Sequence, residues 1–331
     1  MSKEKRFVFT GFEKAELQDF ELGEPGEGQV LVRTTKSMIS PGTEGICFSR
    51  LFAPGTHYDA WVQYPFYPGY IMTGTVEKCG PKVTTLSPGD RVVHIEPHAS
   101  AVIVKADACC KIPEQLPDEI AIWSTFAKIT AMGARAAAYT LNARVAVIGA
   151  GPIGQFSARW ARVAGANVVM IDTVKMRLDL AARAGIGTLE TSADKALQPL
   201  TDYFGGVQPD IVIDSTGIPA VFAQTLALPR KFGKVVLIGD VGEPAKQHLT
   251  PDVINRGITI VGCHVLHDTP DWNTKIITDY FFRLCLDGRM NVDGLITHQF
   301  PADDPQKIYM FNKEHRREIM GVIVDWRKRN Q

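Results

Sequence analysis

Apolar and polar positions change their pattern along the chain. Up to about residue 120 the apolar runs are short, rich in β-branched residues and separated by Gly and Pro turns, which predicts strands. The predicted strands span 6–10, 29–36, 72–79, 90–95 and 101–105. A helical pattern with acidic residues in its first turn then runs from 117 to 138.

From 142 to 262 apolar runs of strand length alternate with helical patterns. The strand-like runs are 145–148, 167–171, 210–214, 234–238 and 258–261. Such alternation predicts an α/β fold with a doubly wound parallel sheet and right-handed crossovers. Beyond 263 the pattern predicts a helix, a strand, a helix and a strand at 272–287, 295–300, 304–312 and 318–326.

A glycine-rich turn opens the alternating part of the chain. Residues 145–154 read VAVIGAGPIG, so four small or apolar residues lead directly into G-x-G-x-x-G and a helical pattern follows. Gly149 permits a tight reversal, Gly151 lets a pyrophosphate approach the backbone, and Gly154 lets the helix pack closely on the strand. The free N–H groups of the helix then face the phosphates. The pattern predicts dinucleotide binding by Gly149, Ala150, Gly151, Pro152, Ile153 and Gly154.

An acidic residue ends the next predicted strand. Asp172 lies 18 residues past Gly154 (172 − 154), where a carboxylate can accept both ribose hydroxyls of an adenosine. The same carboxylate repels a 2′-phosphate, which predicts NAD as the cofactor. Arg177 follows closely and could soften that repulsion, so NADP stays open.

Composition narrows the class of protein. The 331 residues suggest about two domains, and 45% hydrophobic residues can form sizeable cores. Lys plus Arg and Asp plus Glu both number 36, which gives no reason to expect a nucleic-acid or membrane partner. The charged N-terminus does not resemble a signal peptide, and the six cysteines form no C-x-x-C motif. A reducing, cytoplasmic setting is expected.

Short motifs along nearly the whole chain resemble the medium-chain dehydrogenase/reductases, which include the zinc alcohol and polyol dehydrogenases. The matching pieces are GQVLV at 28–32, PGY at 68–70 with Gly74, PGDRV at 88–92, the turn at 149–154, residues 210–214 with Thr216 and Gly217, and GKVVLIG at 233–239. The resemblance implies a GroES-like β-rich catalytic domain at 1–122, completed by 263–331. A Rossmann domain at 123–262 would be inserted between the two parts.

The same resemblance implies an NAD(P)-dependent oxidoreductase with its active site in the cleft between the domains. Further cofactor contacts are expected from Thr216, Gly217, Gly239, Cys263 and His264. The substrate would be a small hydroxyl or carbonyl compound, sugar-like or polyol-like, and the chain would form homo-oligomers. A dinucleotide-binding protein without turnover is the alternative of a different class.

The departures from the family concern zinc. Zinc members carry a cysteine where this chain has Ser40, a His-Glu pair where it has Tyr70 and Ile71, and often another ligand near Phe126. A catalytic zinc needs about three protein donors, so no zinc is expected at the usual position. The octapeptide at 37–44, SMISPGTE, is similar to the loop of the branch that contains bacteriochlorophyllide hydroxyethyl dehydrogenase.

Candidate catalytic residues come from this loop and from the predicted strand at 90–95. Thr43 aligns with the hydroxyl that relays the substrate proton in alcohol dehydrogenases, and its alternative is a turn residue. Glu44 could hold Tyr70, meet the substrate, or be a solvated acid. We predict a relay from substrate through Thr43 to His98, because a histidine titrates in a suitable range.

Three polar residues alternate in and after that strand and could face one side. His94, Glu96 and His98 could bind a metal, supply an acid–base group, or be satisfied by the backbone.

Six aromatic residues between 58 and 70 could form a cleft wall or a small satellite core. The pair Arg316 and Arg317 is interpreted as solvated surface.

Overall fold

A computed structural model describes residues 2–327 of the protein. Met1 and residues 328–331, which the predicted segments 1–122 and 263–331 include, lie outside the described residues. The first third of the chain is mainly strands. Its elements are β1 (Ser2–Gly11), β2 (Lys14–Leu22), β3 (Gln29–Ile39), α1 (Thr43–Phe48), α2 (His57–Trp61), β4 (Met72–Cys79), β5 (Arg91–His94), β6 (Ala101–Lys105), β7 (Cys110–Lys111) and α3 (Asp118–Ala121).

The middle of the chain alternates helices and strands. Its elements are α4 (Ser124–Ala137), β8 (Arg144–Ile148), α5 (Pro152–Val163), β9 (Asn167–Asp172), α6 (Lys175–Arg183), β10 (Gly187–Glu190), α7 (Leu197–Tyr203), β11 (Ile211–Asp214), α8 (Pro219–Thr225), β12 (Lys234–Leu237), α9 (Asp252–Arg256) and β13 (Thr259–Gly262). The last part holds α10 (Thr274–Leu286), β14 (Ile296–Pro301), α11 (Pro305–Glu314) and β15 (Gly321–Asp325).

Two large sheets organise the molecule. The parallel sheet has the order β10-β9-β8-β11-β12-β13. Strands β9 and β10 therefore extend the sheet on one side of β8, and β11 to β13 extend it on the other side. The other sheet has the order β14-β15-β3-β4-β5-β7, with β6 paired to β3. Its strands β14 and β15 come from the C-terminal part of the chain, which therefore returns to the first sheet. The predicted combination of a Rossmann sheet and a GroES-like β-rich domain is confirmed.

Helices α4, α5 and α10 pack together beside the parallel sheet. Their shared core includes Trp123, Phe126, Phe156 and Phe281, each almost completely buried. Burying such large aromatic side chains stabilises this helical layer by several kcal/mol, at roughly 1.5–3 kcal/mol per side chain. The layer holds one wall of the cleft between the two sheets in place.

Two expectations about secondary structure are wrong. The helical pattern at 117–138 forms two helices, α3 and α4, separated by a turn at Ile122 and Trp123, where both side chains are buried in the core. The strand expected to carry His94, Glu96 and His98 on one face ends at His94. Pro97 lies just beyond and has no N–H to donate to a sheet.

Strand β2 was not predicted at all. Most of its side chains are exposed or half-buried, so it lacks a clear apolar alternation, and only its antiparallel pairing with β1 defines it. Within residues 2–327, every helix is too short or too polar to cross a membrane.

Candidate active site

A cavity of about 1190 Å³ runs between the two sheets. At one end it is lined by the turn after β8 and the end of β9, on the carboxyl side of the parallel strands. Ligands of doubly wound sheets bind at this edge, where the strand order reverses. At the other end the cavity reaches α1 and β5 of the β-rich sheet. We refer to these as the cofactor end and the catalytic end.

The glycine turn has the geometry that its sequence predicts. Gly149 has φ +91°, a backbone conformation that side-chain-bearing residues rarely adopt. A Cβ on Gly154 would overlap the carbonyl oxygen of Gly149, so the third glycine is required for α5 to start this close to β8. A Cβ on Gly151 would meet nothing within 4 Å, so the free space there faces the cavity.

Asp172 lines the cavity next to this turn. Its Oδ2 accepts a hydrogen bond from the Ala150 N–H at 2.7 Å, and its Oδ1 accepts one from the Val174 N–H at 2.8 Å. These bonds fix the orientation of the carboxylate. Each carboxylate oxygen has a second lone pair that remains available to a ribose hydroxyl.

Three arginines surround this end of the cavity. Arg177 was a predicted cofactor contact; Arg316 and Arg317, interpreted as solvated surface, are exposed and also line the cavity. Arg177 donates to the Arg316 carbonyl, Arg317 donates to the Thr173 carbonyl at 3.0 Å, and Arg316 donates to the Pro41 carbonyl at 2.7 Å. The positive charge of Arg177 repels those of Arg316 and Arg317. A bound anion would relieve the repulsion among these guanidinium groups.

The remaining predicted cofactor contacts also converge on the cavity. Pro152, Ile153, Thr216, Gly217, Gly239, Cys263 and His264 line it. Ala150 and Gly154 lie behind the lining and shape the turn. Asp214 orients one of these loops, because its Oδ1 accepts hydrogen bonds from both the N–H and the hydroxyl of Thr216.

Hydroxyl groups dominate the catalytic end. The Tyr70 hydroxyl donates to the Ser40 Oγ at 2.5 Å, and both residues line the cavity together with Thr43. Thr43 is also hydrogen-bonded to Tyr70. Burial raises the pKa of Tyr70 to about 12, so its phenol is neutral at physiological pH. Ser40, Thr43 and Tyr70 thus form one chain of three hydrogen-bonded hydroxyls, although up to 30 positions separate them in the sequence.

His94 adds an imidazole to the lining of the cavity. Its Nδ1 accepts a hydrogen bond from the Glu96 N–H at 3.3 Å, which assigns the proton of the neutral ring to Nε2. Nε2 has no hydrogen-bond partner. Burial lowers the pKa of His94 to about 4, so the ring is a neutral donor.

Glu44 and His98 lie behind the cavity rather than in its lining. Glu44 is 2% exposed; its Oε1 accepts from the Ser40 N–H at 2.7 Å, and its Oε2 accepts from the Tyr309 hydroxyl at 2.5 Å. The same Oε2 lies 3.1 Å from His98 Nε2. Glu44 therefore neither holds Tyr70 nor meets a substrate, and the expected direct step from Thr43 to His98 is not formed. Tyr309, which sequence reasoning missed, lies in α11, 265 positions after Glu44 in the sequence.

The side chains of the catalytic end do not fit a zinc ion. Within residues 2–327, no three His, Cys, Asp or Glu side chains come together as metal ligands. The hypothesis of a site built from His94, Glu96 and His98 is therefore wrong in this structure, since His98 faces Glu44 and Nδ1 of His94 is already engaged. The hydroxyl groups of Ser40 and Tyr70 are hydrogen-bonded to each other.

Lys128 is a further lining residue that sequence reasoning missed. Its ammonium donates to the Val265 carbonyl and pairs with Asp268 at 2.9 Å. The only signal was a lysine inside the apolar stretch FAKITAM at 126–132. Such a lysine is buried only when its charge is paired, which is what the structure provides.

The mouth of the catalytic end is bridged by contacts between the two domains. His57 Nε2 lies 3.0 Å from Asp240 Oδ2, and the Ala53 N–H donates to the Gly242 carbonyl at 2.9 Å. A Cβ on Gly242 would overlap the Leu51 carbonyl, so the two loops touch directly. Neither bridge could be predicted from the sequence, because the partners lie 183 residues apart in one and 189 (242 − 53) in the other.

Comparisons with known proteins agree with this architecture. The model of the alcohol dehydrogenase GroES-like domain matches residues 26–148, and that of the zinc-binding dehydrogenase domain matches residues 152–278. L-threonine 3-dehydrogenase of Anaeromyxobacter sp. (strain K) is 28% identical over 93% of this chain and 94% of its own. L-galactonate-5-dehydrogenase of Escherichia coli K12 is 28% identical over 92% of this chain and 94% of its own.

Two solved structures share the fold over the full length. A zinc-binding-dehydrogenase-type protein of Sinorhizobium meliloti 1021, bound to NADP, has a TM-score of 0.83 at 19% identity and covers 98% of this chain and 100% of its own. A short chain alcohol dehydrogenase of Escherichia coli CFT073, in complex with NADH, has a TM-score of 0.81 at 18% identity with the same coverage. Sheets, glycine turn and matched domains lead to one conclusion: the chain belongs to the medium-chain dehydrogenase/reductase superfamily of NAD(P)-dependent oxidoreductases.

Proposed function

We propose that this protein transfers a hydride between NAD(H) and a hydroxyl or carbonyl compound without a catalytic zinc. The observation that carries the proposal is the Tyr70–Ser40 hydrogen bond of 2.5 Å, at the two positions where zinc-containing relatives place metal ligands. Hydroxyls that bond to each other can hold a substrate oxygen and pass a proton, since each can donate and accept.

The cofactor end supports a dinucleotide. The open space at Gly151 and the N-terminus of α5 suit a pyrophosphate, and Asp172 suits the adenosine ribose. When bound, the nicotinamide supplies or accepts the hydride. Asp172 favours two free hydroxyls over a 2′-phosphate, and the three nearby arginines reduce that preference. NAD is therefore the proposed cofactor, and NADP is expected to bind more weakly.

The catalytic end supports a role for uncharged donors. Tyr70 and His94 are both neutral at physiological pH, because burial raises the pKa of one to about 12 and lowers that of the other to about 4. The Tyr70 O–H can donate to a carbonyl oxygen that gains negative charge during reduction, whereas His94 Nε2 has almost no accessible surface and needs a local rearrangement to do the same. Tyr70 then gives its proton to the forming alkoxide and takes a replacement from the Ser40 or Thr43 hydroxyl, which is reprotonated by water entering the open end of the cavity. Alcohol oxidation uses the same groups in reverse.

The test combines metal analysis with cofactor titration on the mildly purified protein. We expect far less than one zinc per chain, activity that survives chelation, and NADH bound about 10-fold or more tightly than NADPH. Stoichiometric zinc that is lost together with activity would contradict the zinc-free mechanism. NADH binding without turnover on a broad panel of alcohols and carbonyls would favour a dinucleotide-binding protein that is not an enzyme. Self-association and a polyol-like substrate stay predictions.

A further inference from the structure

Large apolar side chains surround the mouth of the catalytic end. Four of them are strongly exposed: Leu51 (59%), Trp61 (51%), Ile95 (59%) and Leu266 (77%). All four line the cavity, and we call them the apolar rim. They come from three separate parts of the chain. Single exposed apolar residues are normal on a protein surface, but several that meet at one opening mark a binding surface.

The apolar rim is continuous with the proposed catalytic groups. Ile95 directly follows His94, and Trp61 packs against Tyr58 with ring centroids 6.1 Å apart. Of the aromatic cluster at 58–70, Tyr58 and Phe66 are buried in a core shared with β1, α11 and β15, and Tyr58, Trp61 and Tyr70 line the cavity. An apolar group seated on the rim would place an attached hydroxyl or carbonyl deeper in the cavity, toward Tyr70.

Two charged groups at this end are already paired. Lys128 is held by Asp268 and the Val265 carbonyl, and Asp240 is paired with His57. Arg316 reaches the edge of this end, where it donates to the Pro41 carbonyl. A substrate carboxylate, such as that of threonine or galactonate, would therefore find Lys128 occupied. A polyol would leave the apolar rim in contact with water.

Resting on the proposed function, we infer that the substrate is an uncharged alcohol or ketone with an extended apolar body, seated on Leu51, Trp61, Ile95 and Leu266. Burial of each methylene on the rim adds favourable binding energy that a hydroxylated carbon does not provide. This class differs from the sugar-like or polyol-like substrate that the sequence suggests.

The experiment measures kcat/KM for 2-propanol, 2-hexanol, 2-decanol, sorbitol and L-threonine, with NADH binding followed by fluorescence in the same samples. We expect kcat/KM to rise about 100-fold from 2-propanol to 2-decanol, because part of the added chain is buried. The variant Trp61→Ser/Ile95→Ser should lose about 10-fold or more on 2-decanol and less than about 2-fold on 2-propanol. The control Leu197→Ser/Leu249→Ser removes exposed apolar residues that do not line the cavity and should leave both values unchanged.

Several results would overturn the inference. Sorbitol or L-threonine turned over better than 2-decanol would exclude the apolar class while leaving the proposed function intact. Equal losses on both alkanols would mean that the rim has no role in recognising the apolar body. A changed oligomeric state of the rim variant with unchanged kcat/KM would identify the rim as a contact between copies. Bound NADH without turnover of any compound would reject the proposed function and this inference together.

Discussion

The two ends of the cavity are built in opposite ways. At the cofactor end the glycine turn and Asp172 lie within one short stretch of the chain (149–172), and backbone conformation does most of the work: Gly149 has φ +91° and a Cβ on Gly154 would overlap the Gly149 carbonyl. At the catalytic end the groups are side chains from distant segments, such as Ser40, Tyr70 and His94. A backbone-built site tolerates almost no added atoms, whereas a side-chain-built site can lose one group and keep its shape.

The sharpest test of this contrast uses two glycines of the same turn. Gly154→Ala places a methyl group on the Gly149 carbonyl and should abolish NADH binding, by more than about 1000-fold, with partial loss of folding. Gly151→Ala places its methyl in open space, so stability should be unchanged while NADH binding weakens about 10- to 100-fold. Thermal unfolding and NADH titration of both variants provide the measurement.

Equal effects of the two changes on folding would contradict the steric explanation. Gly23→Ala is the matched control, because a Cβ there also meets nothing within 4 Å and the residue lies outside the cavity lining. It should retain both wild-type stability and wild-type NADH affinity.

At the catalytic end, removing one hydroxyl should affect turnover and leave cofactor binding alone. Tyr70→Phe should lower kcat about 100-fold, and Ser40→Ala somewhat less, with NADH affinity nearly unchanged. The double variant should lose little more than Tyr70→Phe, because both act in one chain. Steady-state kinetics from pH 6 to 9 are the measurement, and the Tyr70 pKa of about 12 predicts that no Tyr70 ionisation appears in that range.

A His98 variant distinguishes this hydroxyl chain from the relay through His98 that the sequence predicts. His98 touches Glu44 and does not line the cavity, so His98→Gln should lower stability more than kcat. If His98→Gln instead lost as much turnover as Tyr70→Phe at unchanged stability, the proton would leave through His98. Tyr203→Phe, at a half-exposed tyrosine outside the cavity, should change neither quantity.

The smallest expected effect concerns stability in acid. Burial lowers the pKa of His94 to about 4, from 6.5 in the unfolded chain. The unfolded chain therefore takes up a proton as pH falls through 6.5, while the folded protein does not until about pH 4. The contribution of His94 to stability is complete above about pH 7.5 and falls with pH, by about 1.4 kcal/mol at pH 5.5. Chemical denaturation at pH 7.5 and 5.5 measures it.

His94→Leu should remove this part of the pH dependence, and His248→Gln, at an exposed histidine, should keep it. An identical loss of stability in wild type and His94→Leu between the two pH values would show that His94 takes up protons equally in both states. The neutral-donor role proposed for this imidazole would then be wrong as well.

The contrast also explains what the sequence could predict. Strand, glycine turn, helix and Asp172 follow one another in the chain, so local patterns were enough to predict which of these residues meet at that end of the cavity. The catalytic end depends on pairings that local patterns do not encode: Tyr309 meets Glu44 across 265 positions, and Arg316 meets Pro41 across 275. The alternation of His94, Glu96 and His98 looked like one strand face because the effect of Pro97 was not taken into account.

The three contacts of Glu44 limit what simple substitutions could do for metal binding at the catalytic end. Its carboxylate oxygens are engaged by the Ser40 N–H, the Tyr309 hydroxyl and His98. Replacing Ser40 and Tyr70 with cysteine and histidine would therefore leave this acid committed to other partners. Removing Tyr309 or His98 alone would leave the buried carboxylate with fewer hydrogen bonds. A metal site grafted here would need coordinated changes in α1, α11 and the loop after β5.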